Sequence, residues 1–297
     1  MTCGTFDRIE SAVASSLGSE IIKVDLVAGS VANRDYRIDL ADRRRVFVKT
    51  GPRQELVAET WAIGRLAAAG VQVPDVACYI DNPDVTPIPF LAVDLIRADG
   101  RLTAETLQEV GRLLGICHTM RGAGFGPVEV TGDPLDPIMV RGRYASWREF
   151  LESILGEIGE LIRVGLLSVE IGDSVRRHAA SIEPSPLARA EGVLLHGDLK
   201  TDHLLAMDGE LTGVIDWGDA SIGDPAWDLA RASMMRPGEF EPLLAGYPGA
   251  EVPGVREILP VYRMLWNTRA LAYEYKAGGD WFAEYRRRIG VDLDLIG

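Results

Sequence analysis

The chain has 297 residues, which is long enough for one large domain or for two packed lobes with a sizeable core. Apolar residues make up 47% and charged residues 25%, so the composition excludes a disordered chain, a collagen-like fibre and a coiled coil. The 31 Lys and Arg stand against 44 Asp and Glu, giving a formal net charge of −13. This acidity argues against a nucleic-acid partner and fits either simple solubility or a cationic small substrate.

Cysteine usage and the absence of targeting segments favour a cytoplasmic protein. Cys3, Cys78 and Cys117 are widely spaced and form no CxxC motif, so we expect neither a disulfide framework nor a zinc cluster. The N-terminal residues lack the basic segment and apolar run of a signal peptide. Because the chain also has no run of about 18 apolar residues, we expect no transmembrane helix and no membrane partner.

The first hundred residues predict a twisted sheet accompanied by helices. Helical spacing of apolar residues indicates a short helix at 6–17, and the composition of 54–69 indicates a longer one that ends at Gly70. Alternating or clustered apolar residues predict strands at Ile21–Val27, Tyr36–Leu40, Val46–Val48, 76–80 and 90–96.

After Asp99-Gly100 the pattern becomes mainly helical. Thr103 is placed to cap the first of these helices, and Ser146 and Glu149 form a capping-box sequence at the start of the second. The predicted helices are 104–120, 146–167, 173–182, 226–235 and 257–277.

Short strands return within residues 193–217. Asp208-Gly209 predicts a hairpin turn between the strands Leu204–Met207 and Leu211–Asp216. The order of elements therefore predicts an α+β fold, with a β-rich lobe at 1–97 and a mainly helical lobe at 98–297.

Residues 194–230 contain the polar motifs that indicate catalytic chemistry. Two apolar strands end in polar clusters, His196-Gly197-Asp198 and Asp216-Trp217-Gly218-Asp219. Since strand ends commonly present side chains to a cleft, the two carboxylates at Asp198 and Asp216 can act together. One can accept a hydroxyl proton while the other holds a divalent cation.

These motifs resemble the aminoglycoside phosphotransferase family of the protein-kinase-like superfamily, whose relatives include choline kinases and macrolide phosphotransferases. The resemblance rests on the order and spacing of four motifs and covers about residues 24–235. It implies a bilobal protein-kinase-like fold with a β-rich N-lobe and a mainly helical C-lobe. The motifs are His196-Gly197-Asp198-Leu199, Ile215-Asp216-Trp217, Gly223-Asp224-Pro225 and Asp228-Leu229-Ala230.

The resemblance also implies a nucleotide site. Lys49 at the end of a strand matches the lysine that holds ATP phosphates, and Glu59 on the next helix matches its ion-pair partner, with Glu55 as the alternative. The loop that covers the nucleotide is represented by Gly29, Ser30 and Asn33, although the full glycine-rich pattern of protein kinases is absent. Residues 91–96 resemble the hinge between the lobes, where Val93, Asp94 and Leu95 would meet adenine.

The catalytic loop departs from the common family pattern at two places. By resemblance, Asp198 accepts the proton of the attacking hydroxyl and Asp216 binds the metal. The family usually has Asn as the second metal ligand at the position of His203, whereas macrolide phosphotransferases have His there too. His203 either binds the metal or only packs. Lys200 resembles the lysine of protein Ser/Thr kinases that contacts the transferring phosphate.

The predicted function is that of an O-phosphotransferase dependent on ATP or GTP and Mg²⁺. Its substrate would be a small hydroxylated compound, such as an aminoglycoside-like or other hydroxylated antibiotic, and it can be cationic. Two alternatives remain open: a metabolic kinase for choline, an amino acid or a sugar, and a nucleotide-binding pseudokinase. We expect a monomer or weak dimer.

Overall fold

A computed structural model of the chain describes residues 3–27, 34–180, 182 and 184–297. The described residues form two compact units. The first unit comprises residues up to Leu102, Val130–Met139 and His203–Asp219. The second unit comprises Thr103–Glu129, Val140–Asp202 and Ala220–Gly297. The division of the chain into lobes at 1–97 and 98–297 stays a prediction.

The described residues form the strands β1 Ile21–Val27, β2 Arg34–Leu40, β3 Arg45–Thr50, β4 Val76–Ile80, β5 Phe90–Asp94, β6 Arg121–Gly122, β7 Phe125–Asp133, β8 Asp136–Tyr144, β9 Gly192–Leu195, β10 Leu204–Met207, β11 Glu210–Val214 and β12 Ser221–Gly223. These strands fall into two five-stranded sheets and one hairpin, with orders β1-β2-β3-β5-β4, β6-β9-β12-β7-β8 and β10-β11.

Most of the predicted helices are present, and several bounds differ. The helix expected at 146–167 is two helices, because the chain turns at Glu157, so that prediction is corrected. No described helix is long and apolar enough to cross a membrane. The helices are α1 Cys3–Leu17, α2 Arg53–Ala67, α3 Ala104–Cys117, α4 Trp147–Gly156, α5 Ile158–Arg163, α6 Val169–Ala180, α7 Ala226–Ala232, α8 Phe240–Gly246, α9 Val255–Ala277 and α10 Phe282–Ile296.

Alternation along β3 separates the core of the first unit from its functional face. Val46 and Val48 are fully buried in an apolar cluster that also contains Ile9 and Val13 of α1. Because neighbouring side chains of a strand point to opposite faces, Phe47 and Lys49 point away from this cluster. Both of them line a cavity on the other side of the sheet.

The hairpin of the first unit confirms the predicted turn. Asp208 and Gly209 both have positive φ, 55° and 84°, which a two-residue turn between twisted antiparallel strands requires. The strands β10 and β11 pair directly beside this turn, with Met207 opposite Glu210. Because the two strands are antiparallel, the hairpin brings Asp216, which follows β11, close in space to His203, which precedes β10.

Side-chain caps begin two helices of the second unit where the sequence predicts them. Thr103 accepts a hydrogen bond from the amide of Thr106 at 3.2 Å, and Thr106 accepts one from the amide of Thr103 at 3.3 Å. Ser146 accepts a hydrogen bond from the amide of Glu149 at 3.1 Å. These bonds satisfy amides that the first turn of a helix leaves without partners.

Helices α3 and α8 approach so closely that glycine is required on both. A Cβ atom at Gly111 would overlap the carbonyl oxygen of Leu243, and one at Gly246 would overlap that of Gln108. Since both obstacles are backbone atoms, a side-chain rearrangement cannot relieve the overlap.

We expect Gly111→Ala to lower the free energy of unfolding by about 1–3 kcal/mol, because the added methyl group must force the two helices apart. Urea denaturation measures the effect. Gly159→Ala is the matched control, because Gly159 is an exposed helical glycine with open space around it. That control should leave stability unchanged or raise it by about 0.5–1 kcal/mol. Equal stability of both variants would contradict the close packing of α3 on α8.

Candidate active site

A cavity of about 580 Å³ opens on the functional face of the first unit. Its lining includes Lys49, Glu59 and Asp216, together with the predicted hinge residues Val93–Leu95. The volume lies within the range of small-molecule and cofactor pockets. The structure thus brings these predicted nucleotide-site residues together, whereas Gly29, Ser30 and Asn33 lie outside the described residues.

The ammonium group of Lys49 sits between two carboxylates. Its Nζ atom lies 2.6 Å from Oε2 of Glu59 and 2.6 Å from Oδ1 of Asp216. Lys49 is 9% exposed and Glu59 is 3% exposed. The ion pair between Lys49 and Glu59 that the family resemblance implies is therefore present, and Asp216 joins it.

The opposite charges of Lys49 and Asp216 stabilise each other. Burial by itself lowers the pKa of Lys49, but Glu59 and Asp216 outweigh that effect and raise it above its usual value. Burial likewise opposes ionisation of Asp216, yet Lys49 and His203 together hold its pKa well below the usual range. Lys49 therefore remains a cation and Asp216 an anion at neutral pH.

His203 and Asp216 offer two adjacent donor atoms to a cation. Nε2 of His203 lies 2.8 Å from Oδ2 of Asp216, whose side chain is 43% exposed. Asp216 has a φ of 67°, a conformation that Asp tolerates better than most residues. The separation is that of a hydrogen bond, so Nε2 can act as a ligand only when it carries no proton, and the two atoms are then candidate ligands for one divalent cation.

Asp35 is a member of this site that sequence reasoning missed. It lies opposite Lys49 in the register of β2 and β3, and it lines the same cavity. Its Oδ1 atom is buried and has no hydrogen-bond partner among the described residues. Burial raises the pKa of Asp35 despite the nearby Lys49. The available signal was that Asp35 stands directly before the strand predicted at Tyr36–Leu40.

In the second unit, Asp198 follows strand β9 in a tightly held loop. The amides of His196 and Gly197 both donate to the carboxylate of Asp228, each at 2.8 Å. Asp228 is fully buried, and Gly197 has a φ of 84° that favours glycine. His196 is also fully buried, and its Nδ1 atom accepts a hydrogen bond from the amide of Asp198 at 3.3 Å, so it braces the loop.

The carboxylate of Asp198 has a cation near each oxygen. Nε of Arg231 donates to Oδ1 at 2.6 Å, and Nζ of Lys200 lies 3.4 Å from Oδ2. Lys200 was predicted to contact the transferring phosphate, whereas Arg231 was not among the predicted site residues. The available signal for Arg231 was its place directly after the motif Asp228-Leu229-Ala230.

The sequence matches the model of the phosphotransferase enzyme family (APH) over residues 23–259, which is most of the chain. The chain belongs to the phosphotransferase enzyme family. This membership confirms the resemblance that the motifs around Asp198 and Asp216 indicated.

One curated relative is hygromycin-B 4-O-kinase from Escherichia coli, 26% identical over 118 residues. The match spans 39% of this chain and 31% of that relative.

Solved structures share the fold along nearly the whole chain. A thermostable mutant of aminoglycoside phosphotransferase APH(4)-Ia, in a ternary complex with ADP and hygromycin B, gives a TM-score of 0.71 at 16% identity over 96% of this chain and 98% of that one. A protein of Thermobifida fusca proposed to be a fructosamine-3-kinase gives 0.71 at 21% identity over 97% and 98%. Macrolide 2′-phosphotransferase MphH of Brachybacterium faecium gives 0.62 at 18% identity over 97% and 98%.

These likenesses confirm the predicted α+β, protein-kinase-like fold. They agree with a first unit built around an antiparallel sheet and a second unit that is mainly helical.

We expect Lys49→Met to lower the free energy of unfolding by about 3 kcal/mol at pH 7, because it leaves Glu59 buried without its cation. Burial already raises the pKa of Glu59, and loss of Lys49 removes an opposing influence. The folded pKa then exceeds the unfolded value of about 4.3, so stability declines as pH rises from there through the folded pKa.

Denaturation at pH 5 and pH 7 measures this effect, and Lys49→Met should lose less stability at pH 5. The double variant Lys49→Met, Glu59→Gln is the control and should recover most of the loss at pH 7. A loss that is the same at both pH values, with no recovery in the double variant, would contradict the buried ion pair.

Proposed function

We propose that this phosphotransferase moves the γ-phosphoryl group of ATP or GTP to a hydroxyl group of an aminoglycoside-like or other hydroxylated antibiotic. The observation that carries the proposal is the cavity of the first unit, in which Lys49 stays charged between Glu59 and Asp216. A fixed cation in a partly water-excluded pocket is the group that polyphosphate binding requires.

The nucleotide would lie in the 580 Å³ cavity, with its phosphates toward Lys49 and its base toward the hinge residues Val93, Asp94 and Leu95. The amide of Asp94 already donates to the carbonyl of Asp75, and that of Leu95 donates to Arg45, both at 2.9 Å. A bound base would therefore be recognised by other backbone groups of the hinge.

His203 and Asp216 would hold the divalent cation, which we take to be Mg²⁺. When bound, that cation neutralises charge on the nucleotide phosphates. The oxygen of Asp216 is a ligand that Mg²⁺ prefers, whereas the imidazole of His203 is friendlier to Mn²⁺.

Asp198 would receive the proton of the acceptor hydroxyl. As the acceptor oxygen forms its bond to the γ-phosphorus, the bond from that phosphorus to the leaving nucleoside diphosphate breaks. Lys200, close to Asp198, would stabilise negative charge on the transferring group.

Relatives support an antibiotic as the acceptor, since one is a hygromycin-B 4-O-kinase and one structural neighbour was solved in complex with ADP and hygromycin B. The second candidate is a metabolic small-molecule kinase, and the likeness to a proposed fructosamine-3-kinase favours a sugar derivative among its substrates. A pseudokinase is the weaker alternative, because Lys49, Asp198 and Asp216 are all retained.

Phosphorylation should be assayed across aminoglycosides, macrolides and fructosamines, with product masses measured. We expect Asp198→Ala to lower kcat by about 10²-fold or more, the scale of general acid–base catalysis. Asp202→Ala is the matched control, because Asp202 lies on the same loop with its side chain 72% exposed. Nucleotide binding without turnover of any acceptor would instead favour the pseudokinase.

His203→Ala should raise the Mg²⁺ concentration needed for half-maximal activity, because the site loses a donor atom. His203→Asn should restore much of the activity, since an amide oxygen is a hard ligand that suits Mg²⁺. Activity titrated against Mg²⁺ and Mn²⁺ measures both effects. If His203→Ala leaves both metal titrations unchanged, His203 is a packing residue rather than a ligand.

A further inference from the structure

Helix α7 holds the loop around Asp198 at two points. Asp228 on this helix accepts hydrogen bonds from two loop amides and so fixes the backbone. Arg231 follows three residues later, about one helical turn, and therefore lies on the same side of α7. From there its Nε atom donates to Oδ1 of Asp198 at 2.6 Å.

Arg231 is itself immobilised. It is 6% exposed, and its guanidinium carbon lies 4.4 Å from the ring centroid of Trp266 on α9. This distance places the cation over the aromatic ring, where the two attract each other. The indole Nε1 of Trp266 donates to the carbonyl of Gly197 at 2.8 Å, so one aromatic residue contacts both the arginine and the loop.

Lys200 cannot orient the carboxylate in the same way. Its side chain is 37% exposed, and its ammonium lies 3.4 Å from Oδ2 of Asp198. A flexible ammonium at that distance fixes no direction, whereas a planar guanidinium at 2.6 Å does. Arg231 therefore fixes the direction of the Asp198 carboxylate through Oδ1, which Lys200 does not do.

We propose that Arg231, clamped by Trp266, is a positioning residue that orients the carboxylate of Asp198 for the proton of the acceptor hydroxyl. The proposal rests on the proposed function, in which Asp198 receives the hydroxyl proton. It assigns to Arg231 an effect on turnover rather than on nucleotide binding, because its contacts are with the loop of the second unit.

The test compares Arg231→Met with Arg263→Met. Arg263 on α9 is the matched control, because its Nε atom donates to a carboxylate, that of Asp292, at 2.7 Å, and its side chain is only 17% exposed. Both variants break a buried arginine–aspartate pair and should lose stability. Only Arg231→Met should lower kcat, by about 10–100-fold, the scale of a misplaced reacting group, with the nucleotide KM within about twofold.

Arg231→Lys separates positioning from charge. It keeps a positive charge but loses the planar group and its Nε–H donor, so it should recover only part of the lost kcat. Full recovery in Arg231→Lys, or a folded Arg231→Met with the kcat of Arg263→Met, overturns the proposal. If Arg231→Met does not fold, Arg231→Gln is compared with Arg263→Gln by the same criteria.

Failure of the proposed function has a different signature, because the unaltered protein would then turn over no acceptor. A double-mutant cycle of Asp198→Asn and Arg231→Met, measured by urea denaturation, needs no acceptor. We expect the two substitutions to be strongly non-additive in their effect on unfolding. Additive effects would overturn the role of Arg231 whether or not an acceptor is found.

Discussion

The buried ammonium group of Lys49 is the constraint on which the first unit depends. A charge removed from water is costly unless opposite charges surround it, and here Glu59 and Asp216 both lie at 2.6 Å. Lys49 lies on strand β3, Glu59 on helix α2 and Asp216 just after the β10–β11 hairpin. The two ion pairs therefore hold these three elements together. The proposed nucleotide site depends on the same arrangement, because Lys49 would be the fixed cation that faces the phosphates.

Much of the fold could be predicted from local patterns. The β-rich composition of residues 46–48 and the Asp208-Gly209 turn depend on neighbouring residues alone, so both can be recognised in the sequence. The strands β7 and β8 were missed, because Gly and Pro interrupt their alternation and make residues 125–144 resemble a loop. The end of α4 at Gly156 was also missed, since the apolar spacing continues through the turn.

The residues of the candidate site divide in the same way, into those that local motifs indicate and those that only the folded structure brings into place. Asp198 and Asp216 are candidates from the sequence, because they stand in motifs of fixed order and spacing, and Lys49 is one because it ends a predicted strand before the helix that carries Glu59. Asp35 and Arg231 could not be predicted, because their importance arises from strand register and from the packing of α7 against the loop. Nothing in the linear sequence states that Arg231 reaches Asp198, a residue 33 positions earlier in the chain.

The central claim is that the γ-phosphoryl group moves intact from a nucleotide to an acceptor oxygen, and isotope-labelled ATP tests it most directly. The protein is incubated with ATP whose three terminal γ-oxygens are ¹⁸O, together with Mg²⁺ and the acceptor panel, and product masses are read. We predict a phosphorylated acceptor that carries three labelled oxygens and keeps its own unlabelled hydroxyl oxygen. Labelled inorganic phosphate with no phosphorylated acceptor would contradict it.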